Sequence, residues 1–139
     1  MSAQTEDRLG GVAQVPEFAC SWSTGGAGTA WVRVSGELDI ATTSQLETAL
    51  GEAQAQARLV ALDLRELSFI DSYGVYAIVA ASVAARRVGS RLVLLRGRPS
   101  VDRVFALAGV GDEVEIGDIR PGEPPVQVLL ALAGSESSR

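Results

Sequence analysis

In the stretch LSFIDSYGVYAIV, an acid and a hydroxyl stand side by side, Asp71 and Ser72. A serine in that setting can be a nucleophile, a helix cap or the acceptor of a phosphoryl group. The first of these needs a base. The chain has no histidine and no lysine, all 12 basic residues being arginine, so a Ser-His-Asp triad, a Ser-Lys dyad and a P-loop lysine are all excluded. An enzyme built on Ser72 or Asp71 would need carboxylates and arginines in an arrangement that no spacing suggests. The chain is therefore expected not to be an enzyme and to carry no cofactor. Cys20 is the only cysteine, which rules out an internal disulfide and a zinc cluster, fits a reducing cytosol, and reads as a buried strand residue.

The elements that must hold Asp71 and Ser72 come from one ordinary soluble domain of 139 residues, 47% hydrophobic and 21% charged. The net charge of −5 would repel phosphate backbones and anionic lipid surfaces, so neither nucleic acid nor membrane is an expected partner. The longest weakly polar run, GVYAIVAASVAA, is shorter than a membrane span, and MSAQTEDR has no signal-peptide pattern. A cytoplasmic protein is expected, with residues 1–16 a flexible tail, 17–134 the domain and 135–139 a second tail.

Within the domain, FACSWS and AWVRVSGEL read as a hairpin joined by TGGAGT. Those glycines lie between strands and are followed by no lysine, which argues against a phosphate cradle. Ser44 and Glu47 fit a capping box, and Leu46, Ala49, Leu50 and Ala53 share one face, predicting a helix from about 43 to 55 with its cap at Ser44 or one or two residues earlier. RLVALDL predicts a strand covered on both faces, ending at Asp63. Val75, Ile78, Val79, Ser82 and Val83 mark a long helix that Gly89 stops. RLVLL, PSVDRVFALAG with Pro99 near its first turn, and EVEI predict a strand, a helix and a short strand. A last helix is expected over 126–133. Strands and helices alternate after an opening hairpin, so the predicted class is α/β, a mixed sheet of four to five strands with about four helices.

Ser72 thus falls after a strand, at the first turn of the strongest helix, where free amides and the positive end of the helix dipole converge. One reading is that Asp71 or Ser72 caps this helix. The other is that the hydroxyl is presented for phosphorylation, which would add about −1.5 to −2 charges beside Asp71. Tyr73 reads either as a half-exposed helix residue or as a binding anchor. Asp63 reads as an acid satisfied by backbone N–H groups or as a support for the same loop region. Trp22 and Trp31 read as packing residues with no charge around them, and Arg86, Arg87, Arg91, Arg96 and Arg98 as a solvated cluster or a patch for an acidic partner.

Three motifs taken in order, GELDIATTSQLETAL, LVALDLRELSFIDSYGV and RRVGSRLVLLRGRPSVDRVFALAGV, resemble the STAS domain of bacterial anti-sigma factor antagonists over roughly Phe18 to Ile116. The resemblance implies a STAS fold. It places the family's phosphorylated serine on Ser72, with Asp71 and Gly74 completing the Asp-Ser-x-Gly motif, and the Gly-x-Leu-Asp motif on Gly36, Leu38 and Asp39 beside it. The implied partner-binding set is Asp39, Asp71, Ser72, Tyr73 and Gly74. The implied partners are an anti-sigma factor that is itself a serine kinase, which would bind the ATP, and a phosphatase acting on Ser72. The residue after the serine is usually small in the family. Tyr73 departs from that pattern and would narrow the kinases able to reach Ser72. STAS domains also serve as scaffold subunits of stress-sensing assemblies, the alternative reading.

Overall fold

The computed structural model describes residues 17–117. They form β1 (Ala19–Gly26), β2 (Thr29–Leu38), α1 (Thr43–Gln56), β3 (Leu59–Ile70), α2 (Ser72–Arg87), β4 (Arg91–Leu95), α3 (Pro99–Ala108) and β5 (Glu115–Gly117). The sheet runs β1-β2-β3-β4-β5, with β1 antiparallel to β2 and the other neighbours parallel. Each parallel step needs a crossover helix. Because the steps progress in one direction with the same right-handed turn, all three helices lie on one face. The mixed sheet and the α/β class are as the sequence predicts. The fourth helix, over 126–133, and both tails lie outside the described residues.

The core forms where the helices meet that face. Leu46, Leu50 and Ala53 of α1, Val75 and Ile78 of α2 and Val101 and Phe105 of α3 pack on Val32, Val34, Leu62 and Leu94. Val79 packs against this cluster only partly buried, whereas Ser82 is fully buried. On the opposite face Trp31, Leu59, Ala61, Val93 and Leu95 make a second buried cluster. Trp31 is not free of charge as expected, since the Arg65 guanidinium lies 5.9 Å from its ring centroid. Cys20 is half-buried on β1, and burial raises its thiol pKa to about 11.

The hairpin is tighter than the sequence suggests. TGGAGT is not a loop: Thr24 and Gly26 still pair with Ala30 and Thr29, and the chain reverses at Ala27 and Gly28, both at positive φ. The largest departure is β3, which does not end at Asp63 but continues to Ile70. Beside it, β2 keeps strict alternation on its helix-covered face, where Ala30, Val32, Val34, Gly36 and Leu38 are buried. On β3 the buried residues that face the helices run Val60, Leu62, Leu64, then Leu67 and Ile70. Two register shifts, between Arg33/Ser35 and Gly36/Glu37 of β2, each give β3 one extra residue and turn a period of two into a period of three. Ser68, in the second bulge, donates its hydroxyl to the Gly36 carbonyl at 2.9 Å.

The helix ends follow their local chemistry. Pro99 opens α3, and Gly109 closes it in the left-handed conformation. Gly89 ends α2 in a Schellman arrangement, with Ser90 N–H donating to Ala85 O at 2.8 Å and Gly89 N–H to Arg86 O at 3.1 Å. The Ser44–Glu47 capping box does not form. Thr42 is the N-cap of α1, and both Ser44 and Glu47 are exposed inside the helix. The last strand begins at Glu115 rather than Glu113 because Val110 to Glu113 form a turn, closed by Glu113 N–H on Val110 O.

Gly36 sits where β2 approaches the incoming chain. Its φ is +86°, and an added Cβ would lie 2.1 Å from the Glu17 carbonyl oxygen. Gly36→Ala is expected to destabilise the protein by about 3 kcal/mol, from backbone strain plus the displaced neighbour. A denaturant titration checks this, and an unchanged midpoint would mean that the Glu17 segment simply moves away.

Candidate functional site

The C-terminal ends of β2 and β3 are adjacent, with Leu38 paired to Ile70. The chain leaves both ends toward helices on the same face, so the segments after Leu38 and after Ile70 meet at one edge of the domain. They are bonded directly, the Asp71 N–H donating to the Leu38 carbonyl at 3.2 Å. The two motifs that the resemblance placed together are therefore neighbours.

Asp71 is the N-cap of α2. Its carboxylate accepts from the Gly74 N–H at 3.1 Å, and its carbonyl accepts from the Val75 N–H at 3.1 Å. This resolves the two capping options: Asp71 caps, and Ser72 is the exposed first residue of the helix. The Ser72 hydroxyl and the amides of Ser72 and Tyr73 make no hydrogen bond to a described residue. They face outward at the positive end of a 16-residue helix.

Gly74 explains the close seating of that helix. An added Cβ would lie 2.8 Å from Ile70 Cγ1 and 2.9 Å from Leu38 Cγ. Only glycine lets the first turn of α2 rest on the last residues of both strands.

Asp39 is held by its own loop. Its Oδ1 accepts from the Ala41 N–H at 2.9 Å, while its carbonyl accepts from the Thr42 and Thr43 amides, each at 3.0 Å. Thr42 closes the loop by donating its hydroxyl to the Glu37 carbonyl at 3.0 Å and accepting from the Asp39 N–H at 2.9 Å. The half-buried carboxylates of Asp39 and Asp71 are thus each held by their own backbone, in the segments that the Asp71–Leu38 bond joins.

Close to these acids along the chain are four exposed hydrophobic side chains that the sequence reading missed, apart from Tyr73. Ile40, Phe69, Tyr73 and Tyr76 are 62%, 46%, 55% and 68% exposed. Among the described residues only three other large hydrophobic side chains, Val88, Leu107 and Ile116, are comparably exposed. Exposed aromatic side chains are enriched at binding surfaces. Tyr73 and Tyr76 are three apart on one helix side, a spacing that could have signalled the pair.

Asp63 belongs elsewhere. It is buried, accepts from the Arg65 N–H and Nε at 3.0 Å each, and forms a salt bridge to the same guanidinium. The acid is satisfied by a backbone N–H, as one reading held, and supports the first β3 bulge rather than the Ser72 loop. Three members of the arginine cluster are engaged locally: Arg86 on the Glu113 carbonyl, Arg91 on Glu115 and Arg96 near Asp102. Among the described residues no helix is long and apolar enough to cross a membrane.

If Asp71 caps and Ser72 does not, the two alanine variants must separate. Asp71→Ala is expected to cost about 1 kcal/mol of stability and Ser72→Ala less than about 0.5 kcal/mol. Chemical denaturation of the pair measures this, and equal losses would return the capping role to Ser72.

Comparison with known proteins agrees with this geometry. The STAS domain family model matches residues 24–122. The anti-sigma-B factor antagonist of Listeria monocytogenes is 33% identical over 87 residues, which cover 62% of this chain and 76% of that protein. The unphosphorylated anti-sigma factor antagonist SpoIIAA has a TM-score of 0.65 at 24% identity, covering 84% of this chain and 97% of that one. The phosphorylated form of SpoIIAA, described as a Bacillus cell fate determinant, gives 0.63 at 23%, covering 82% and 99%. The family model spans β2, the bulged strand and the Asp71-capped helix alike, and by that match this chain belongs to the STAS domain family.

Proposed function

We propose that this protein is an anti-sigma factor antagonist whose binding surface is centred on Ser72 and is switched off when Ser72 is phosphorylated. In this reading the unmodified protein binds an anti-sigma factor through Ile40, Phe69, Tyr73 and Tyr76 and the carboxylates of Asp39 and Asp71, and so frees a sigma factor. The bound partner is an ATP-dependent serine kinase, and a phosphatase resets the serine. The domain itself performs no catalysis.

The observation that carries the reading is the division of labour at the start of α2. Asp71 takes the capping duty, which leaves the Ser72 hydroxyl exposed and without a partner among the described residues. A phosphate there is accepted by the helix dipole and the two amides that have no partner among the described residues, so the fold does not have to change. Buried against a partner beside the Asp71 carboxylate, however, the same dianion is uncompensated. The likeness to antagonists of the sigma-B type supports the partner class.

The test uses tagged wild type, Ser72→Ala and Ser72→Asp as baits in cytoplasm of the source cell, with bound proteins read by mass spectrometry. The alanine form is expected to hold an ATP-binding serine kinase. With that kinase purified, the aspartate form is expected to bind about 100-fold more weakly, corresponding to about 3 kcal/mol for an unpaired charge in the interface. Recovery of the same proteins by all three baits, with no phosphate ever found on Ser72, would overturn the proposal.

A further inference from the structure

Among the described residues the sheet has two edges, and they are built differently. The β5 edge is three residues long and starts at Glu115, which pairs with Arg91. Short length and charge are the usual means of preventing an edge from pairing with another strand. The β1 edge has neither. It is eight residues long and mostly exposed. From Phe18 to Val32 there is no Asp, Glu, Arg, Lys or Pro, and the only bulge, between Thr24 and Gly26, lies next to the turn. The segment Ala19–Thr24 therefore presents a regular, uncharged row of backbone donors and acceptors about 20 Å long.

We propose that this edge pairs with the same edge of a second copy of this chain, antiparallel about a two-fold axis, joining two sheets into one. The occupant follows from self-complementarity. A two-fold edge contact sets each side chain against one from the same strand, and on β1 that pairing brings no like charges together. Such repulsion would otherwise be expected in a chain of net charge −5. The side chains also permit close approach. Ala19, Ser21 and Ser23 are small and exposed on one face. On the other face Trp22 is already drawn toward α1, its Nε1 donating to Glu52 Oε1 at 3.0 Å. With Ser21 on the axis, Cys20 of each copy lies opposite Trp22 of the other, and the half-buried thiol meets an indole. The edge is separated from β3 and α2 by β2, so both Ser72 surfaces stay open and the pair is bivalent. This inference is independent of the Ser72 reading.

Sedimentation velocity at micromolar concentration tests it. The wild type is expected at twice the 14.5 kDa chain mass. The double variant Ser21→Lys/Ser23→Lys, which places like charges across the axis, is expected at the chain mass with an unchanged circular dichroism spectrum. Leu107→Lys, which adds a lysine on exposed α3 far from β1, is expected to remain dimeric. Hydrogen exchange supplies the second measurement, with β1 amides protected in the wild type and fast in the double variant. A wild type that is monomeric at every concentration overturns the proposal, and monomers with protected β1 amides would show that the edge is covered within one chain. A double variant that stays dimeric also overturns it, because the contact would then lie elsewhere.

Discussion

The site depends on the parallel pairing of β2 with β3 at their C-terminal ends, closed by the hydrogen bond from the Asp71 amide to the Leu38 carbonyl. That bond fixes where the second strand stops and the second helix starts. Asp71 is then placed to cap, Gly74 comes to rest on Leu38 and Ile70, and Ser72 is left on the outside. Each step is local and inexpensive in energy, because every backbone donor involved finds a partner or faces water. The site is consequently rigid before any partner arrives, and a modification there has little conformational freedom to act through. Its effect has to be exerted on whatever binds, through charge and shape.

Much of this architecture was legible because periodicity and punctuation coincide. The face of α2 is marked by Val75 and Ile78, its end by Gly89, and the ends of α3 by Pro99 and Gly109. Where pattern and punctuation part, the sequence misleads. Ser44 and Glu47 have the spacing of a capping box, yet Thr42 precedes them and its hydroxyl is already engaged by the Glu37 and Asp39 backbone, so the chain enters the helix earlier. The GG of the hairpin looks like a loop because glycine is read as a breaker, whereas here only Ala27 and Gly28 turn the chain.

The site was legible in its polar residues and hidden in its apolar ones. Asp71, Ser72 and Gly74 announce themselves by type, and the structure puts Asp39 beside them. Ile40, Phe69 and Tyr76 are hydrophobic residues that a sequence reading assigns to the core by default, since exposure is a tertiary property. Phe69 was further concealed by the bulges, because without the second one it would occupy the buried phase of its strand.

Those two bulges act as a parity device. One alone would leave the rest of β3 inverted, with apolar residues on the wrong side of the sheet. Two restore the original phase while making β3 two residues longer than the stretch of β2 it accompanies. The surplus is taken up inside the bulges, so the end of β3 stays level with the end of β2, Leu38 opposite Ile70, while the last partner of β3 on β4 is Leu95, opposite Asp63. The serine thus stands at the tip of a two-stranded extension, past the last residue that β4 pairs.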